Sequence, residues 1–130
     1  MIQIYTTPSC ASCRKAKKWF DQYKIPYSEK NIFSIKLSKE DIFRMLANSE
    51  NGFDDIISTR SKVFKEKKLD PDNMSVQELI EFIIDYPSVL KRPIIINENE
   101  LQVGYNNEDI TIFLPKELRN LDSFSDFDAE

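Results

Sequence analysis

Ile2-Gln3-Ile4-Tyr5-Thr6-Thr7-Pro8-Ser9-Cys10-Ala11-Ser12-Cys13-Arg14-Lys15-Ala16 runs from a strand, through a turn, into a helix. Ile2 to Tyr5 reads as the strand, Thr6 to Ser9 as the turn, and Arg14 onward as the helix, so two sulfurs sit where one element hands over to the next. A helix N-terminus carries unpaired N–H groups and about half a positive charge, which favours thiolate over thiol. Arg14, Lys15, Lys17 and Lys18 add to that field. Cys10 is therefore the expected attacking or sensing sulfur, and Cys13, one turn on, can close a short disulfide with it. A zinc site wants about four ligands, and this chain has two cysteines and no histidine. Two coincidentally buried thiols are the other bland reading. A Cys-x-x-Cys between a strand and a helix is the redox signature, and redox is the reading adopted.

The neighbouring sequence builds outward from that pair. Cys13, Ala16, Trp19, Phe20 and Tyr23 fall at helical spacing on one face, so Cys13 should be the less accessible sulfur. Lys24-Ile25-Pro26 ends the helix, and Tyr27 to Asn31 reads as a second strand, parallel to the first. Ser38 with Asp41, and Ser75 with Glu78, are capping-box spacings that open helices. The second of these helices carries Leu79, Ile80, Phe82 and Ile83 on its buried side. Between them Asn51-Gly52 signals a turn, and Phe53–Ile57 and Ser61–Lys67 read as short helices. Residues 35 to 90 thus form a helical insertion, not an independent domain. Ile94 to Ile96 is a buried strand run, Asn97 to Glu100 a hairpin turn, and Leu101 to Val103 its antiparallel return. A last helix is expected with Ile110, Phe113 and Leu114 inward, interrupted by Pro115.

At 130 residues, 41% hydrophobic and 31% charged, the chain fits one domain, 1 to 118, with an acidic flexible tail at 119 to 130. No apolar run approaches a membrane span, and the start lacks a signal peptide's basic and apolar regions, so the cytoplasm is expected. The net charge of −4 argues against tight unaided binding to DNA, and the lack of histidine removes every Cys-His or Ser-His nucleophile. Lys62, Lys65, Lys67 and Lys68 form a local basic face of the kind that is usually solvated.

Two parallel strands around a helix, a helical insertion, then a hairpin make an α/β, thioredoxin-like mixed sheet. In that fold a cis-proline begins the third strand beside the active sulfurs. Pro93 occupies that place, so Arg92-Pro93 is expected to be cis, although most X-Pro bonds are trans.

Cys10-x-x-Cys13-Arg14-Lys15-Ala16, Asn31-Ile32-Phe33, Ile56-Ile57-Ser58-Thr59-Arg60-Ser61-Lys62, Arg92-Pro93-Ile94-Ile95 and Leu101-Gln102-Val103-Gly104-Tyr105-Asn106 together resemble the Spx regulators. These are known from low-GC Gram-positive bacteria and belong to the arsenate-reductase-like branch of the thioredoxin superfamily. The resemblance implies a cofactor-free regulator that binds the C-terminal domain of the RNA polymerase α subunit and controls thiol-stress genes. Its Cys-x-x-Cys is the sensor, switched by the disulfide. Its polymerase-contacting glycine matches Gly52, and the arginine matching Arg92 reads the state of the sulfurs. Promoter DNA is met only together with polymerase, and ATP-dependent Clp protease acts through the C-terminal end. The enzyme alternative is arsenate reductase, which needs a thiolate matching Cys10 and three arginines around an oxyanion. Arg60 and Arg92 match two of these; Gly104-Tyr105-Asn106 stands where the third would be. Arg92 should lie within reach of Cys10, pair with its thiolate, and be released to a carboxylate or an anion when the disulfide forms.

Overall fold

The computed structural model describes residues 1–58 and 61–115. Four strands, β1 (Ile2–Thr6), β2 (Tyr27–Asn31), β3 (Ile94–Ile96) and β4 (Leu101–Val103), make one sheet in the order β2-β1-β3-β4. β1 and β2 are parallel, joined by helix α1 (Ala11–Gln22), while β3 runs antiparallel to β1 and to β4. The expected thioredoxin-like mixed sheet is present.

The two-residue period of the strands sorts the core into two layers. Ile4 and Ile95 pack with Ala16, Trp19 and Phe20 of α1 and with Ile110 and Phe113. Tyr5, Ile94 and Ile96 point the other way, into the insertion helices. These are α2 (Lys39–Ala47), α3 (Phe53–Ile56), α4 (Lys62–Lys67) and α5 (Val76–Asp85), so the insertion covers one whole face of the sheet. Burying a side chain the size of Phe20 contributes roughly 2–3 kcal/mol, and its ring also meets Trp19 and Phe113 at 5.0 and 5.9 Å between centroids.

Both capping boxes form. Ser38 Oγ accepts from Asp41 N–H while Asp41 accepts from Ser38 N–H, and Ser75 and Glu78 do the same. The last expected helix is present as a short 3-10 helix, Asp109–Phe113, with Ile110, Phe113 and Leu114 buried as expected. The reason for the 3-10 form is local. Asn106 Oδ1 accepts from Glu108 and Asp109 N–H, the β-branched run Ile110-Thr111-Ile112 is stiff, and Pro115 follows. The expected acidic tail lies outside the described residues. No described helix is long and apolar enough to cross a membrane.

Register fixes what stands beside the sulfurs. Tyr5 pairs with Ile94, and Ile94 with Val103, so Pro93 lies beside Thr6 at the end of β1, with Gly104 beyond it on the β4 side. Arg92-Pro93 is cis, as expected, and Gly104 N–H donates to Pro93 O at 2.8 Å.

Candidate functional site

Cys10 is the N-cap of α1, with an extended backbone, and its Sγ accepts from Cys13 N–H at 3.1 Å. That is the position in which a cap's acceptor satisfies one of the helix's orphan donors. A negative sulfur there gains both the hydrogen bond and the helix field. Cys10 and Cys13 are joined in a disulfide with their Cα atoms 5.2 Å apart, inside the ordinary range for such a bond. Cys13 is 1% exposed and shares the buried face with Ala16, Trp19 and Phe20, whereas Cys10 is only half-buried. In the reduced protein, limited alkylation is therefore expected to label Cys10 before Cys13. Mass spectrometry of the alkylated peptides checks this, and faster labelling of Cys13 would reverse the assignment of roles. The turn before the pair holds Ser9 at φ 65, an uncommon conformation for a residue with a side chain and one the sequence did not announce.

An open groove of about 890 Å³ runs past Cys10, lined by Phe33, Ser58, Lys62, Lys91 and Arg92 among others. Arg92 thus stands in the same groove as Cys10, as its place beside Pro93 predicts. Its partner is different from the one expected: Nη1 donates to the carbonyls of Ser88 and Leu90, at 3.0 and 3.1 Å, not to a carboxylate. Pro87–Val89 is a one-turn 3-10 helix, and its last carbonyls point back toward the guanidinium, satisfying it locally. Arg60 lies outside the described residues. The cations that line the groove among the described residues are Lys62, Lys91 and Arg92. In the sequence Lys91 reads only as half of a local basic pair with Arg92, with no periodic signal to place it in the groove.

Gly52 caps α3, with φ 65 and ψ −132, and a Cβ built there meets nothing within 4 Å. It needs glycine for its backbone and faces open space, so the turn and contact-surface readings coexist. Asp55 holds the turn by accepting from Glu50 and Asn51 N–H, both at 2.9 Å. The Asn51 N–H is the main cause of the Asp55 carboxyl lying below its ordinary range.

α3 is also tied to the segment that carries Arg92. Ile57 bridges Leu90; Ser58 N–H donates to Val89 O and Lys91 N–H to Ile56 O, each at 2.8 Å. Lys91 Nζ adds a bond to Asp54 O at 3.1 Å. The glycine turn and the sulfur groove are therefore the two ends of one hydrogen-bonded unit. No sequence pattern pairs residue 57 with residue 90.

The ArsC family model matches residues 5–113. Over 119 residues the chain is 50% identical to the global transcriptional regulator Spx 1 of Bacillus cereus, across 92% of this chain and 91% of that one. The chain belongs to the ArsC family, in its Spx branch. The global transcriptional regulator Spx of Bacillus subtilis is 48% identical over 120 residues, covering 92% of each chain. A putative arsenate reductase from Yersinia pestis superposes with a TM-score of 0.76 at 19% identity, over 87% of this chain and 100% of that one. That likeness is one of fold.

Proposed function

We propose that this Spx-family chain is a cytoplasmic, redox-sensing transcriptional regulator that docks on the C-terminal domain of the RNA polymerase α subunit. The Cys10–Cys13 pair is its sensor, and Gly52 with the α3 turn is its docking point. It meets promoter DNA only when polymerase brings it there, and an ATP-dependent Clp protease sets its level. The observation that carries the reading is the hydrogen-bonded unit between α3 and residues 89–91, at one end of which stands Gly52 and at the other the groove of Cys10 and Arg92. Reduction leaves a thiolate at Cys10, a new anion in a groove that Arg92 also lines. If the guanidinium turns to that anion, the carbonyls of Ser88 and Leu90 lose their donor and the bridge to Ile57 is strained. The disulfide removes the anion and returns Arg92 to the carbonyls.

The reading is tested by binding of the oxidised and reduced full-length protein to the isolated α C-terminal domain, alongside transcription of a thiol-homeostasis promoter. Both forms are expected to bind, and only the oxidised form to activate. Absence of binding in either state would overturn the reading. Steady arsenate turnover with glutathione and glutaredoxin would replace it with an oxyanion reductase.

A further inference from the structure

A second, smaller cavity of about 260 Å³ is lined by both sulfur-bearing residues, Cys10 and Cys13, together with Thr6, Arg14, Lys17 and Glu29. Its polar groups are organised. Glu29 Oε2 accepts from Lys17 Nζ at 3.0 Å and from Thr6 Oγ1 at 2.8 Å. Helix and sheet geometry make this arrangement. Lys17 lies one turn after Cys13 on α1, while Glu29 pairs with Ile4 in the parallel register, so its side chain rises on the α1 face beside Thr6. Chain segments from two elements thus bring an ion pair to a cavity that the sulfur of Cys13, itself 1% exposed, helps to line.

We propose that the Lys17–Glu29 ion pair is a charge-balancing device for the buried Cys13 sulfur, controlling how readily that thiol gives up its proton when the disulfide closes. The inference rests on the disulfide pair alone and stands whichever partner the protein binds.

The chemistry shows where such control acts. With a hydroperoxide as oxidant, the Cys10 sulfur attacks the outer oxygen; the O–O bond breaks, an alcohol leaves, and Cys10 becomes a sulfenic acid. Cys13 then attacks the Cys10 sulfur. The S–S bond forms, the S–O bond breaks, and hydroxide leaves, combining with the proton that Cys13 has lost to give water. The second step waits on that proton, and Cys13 has no bulk water beside it. The charged groups that line the cavity with Cys13 are Arg14 and Lys17 from α1 and Glu29 from β2; Arg92 lines the larger groove with Cys10. Lys17 favours the Cys13 thiolate and Glu29 opposes it, while Glu29 also holds the lysine in place. Consistent with a formed pair, the bond from Lys17 is the main cause holding the Glu29 carboxyl below its ordinary value.

This gives opposite signs to two neutralising substitutions, which a merely structural pair would not. In a Cys10→Ser background, the 13Cβ shift of Cys13 reports its titration without needing solvent access. Lys17→Met is expected to raise the midpoint by about half to one unit, and Glu29→Gln to lower it by a similar amount. The double variant should fall between them, and Lys17→Arg should leave the wild-type value. In the protein with both cysteines, closure after one equivalent of hydroperoxide should slow about three- to tenfold in Lys17→Met and not slow in Glu29→Gln. Shifts of the same sign in the two single variants, or no shift in either, would overturn the proposal. Should one single variant lose its native circular dichroism, the double variant decides. A midpoint near wild type supports the balance, and one displaced as far as the remaining single variant overturns it.

Discussion

Gly52→Arg is expected to abolish binding to the isolated α C-terminal domain, lowering affinity at least about thirtyfold, the ~2 kcal/mol of a substitution at an interface centre. The disulfide should still close. Two physical effects must be kept apart. At φ 65 and ψ −132 any residue with a Cβ is strained, at a cost of roughly 1–3 kcal/mol in stability. A Cβ itself meets no neighbour, so there is no clash inside the protein. Gly52→Ala carries the strain without the bulk. It should melt earlier than the wild type yet bind within a few-fold of it, whereas Gly52→Arg should match the melting of the alanine variant and lose the partner. Calorimetric titration of both variants against the α domain makes the comparison. Equal loss in both would assign the effect to the shape of the turn, and wild-type affinity in Gly52→Arg would remove the site.

The parts of this protein that were legible in the sequence are those written in local patterns. Cys-x-x-Cys at a strand-to-helix boundary, the two Ser-x-x-acid boxes and the Ile94–Ile96 run each announce an element within a few residues, and each is present. Pro93 was legible through the fold it implies. The helix at Asp109–Phe113 was legible from its apolar spacing, but its 3-10 form was not, because that rests on the side-chain bonds of Asn106 and the β-branched run. What stayed hidden depends on pairing across long separations. Tyr5 reads as a strand aromatic and Asp41 as a helix cap; nothing local says that they bond to each other over 36 residues. Glu29 likewise reads as a polar residue on a strand until the parallel register sets it under Lys17 and beside Cys13. Arg92 was placed in the right groove, but its carbonyl partners come from a turn whose path the sequence does not reveal.

The Tyr5–Asp41 bond predicts the largest loss of stability outside the apolar core. Asp41 closes the capping box of α2, accepts from Tyr5 Oη at 2.7 Å, and pairs with Lys30 and Arg44 at 3.3 and 3.2 Å. Burial alone would raise its carboxyl, but the Ser38 N–H, the Tyr5 and Ser38 hydroxyls and Lys30 together bring it down to about 2, from 3.8. A carboxyl lowered in the folded state contributes stability that is fully present above 3.8 and lost as pH falls from there through about 2. Tyr5 is shifted the other way, chiefly by burial and then by its bond to Asp41, so its contribution is present below pH 10 and lost above it. Asp41→Ala removes the cap and leaves the Tyr5 hydroxyl and Lys30 without their carboxylate, a cost of about 3 kcal/mol. For a domain of this size that is a melting midpoint lower by roughly 10 °C. Asp41→Asn keeps the shape and should lose less, about 1–2 kcal/mol after screening by the solvent at this edge. Its stability should also be flatter than the wild type's between pH 4 and 2, where urea melts of the two proteins should converge. Parallel curves through that window would show that the acid sensitivity lies elsewhere. Because the bond joins β1 to the first helix of the insertion, both variants should free the insertion before the α1 layer. Hydrogen exchange should then quicken in α2 and α5 while the amides of α1 keep their protection.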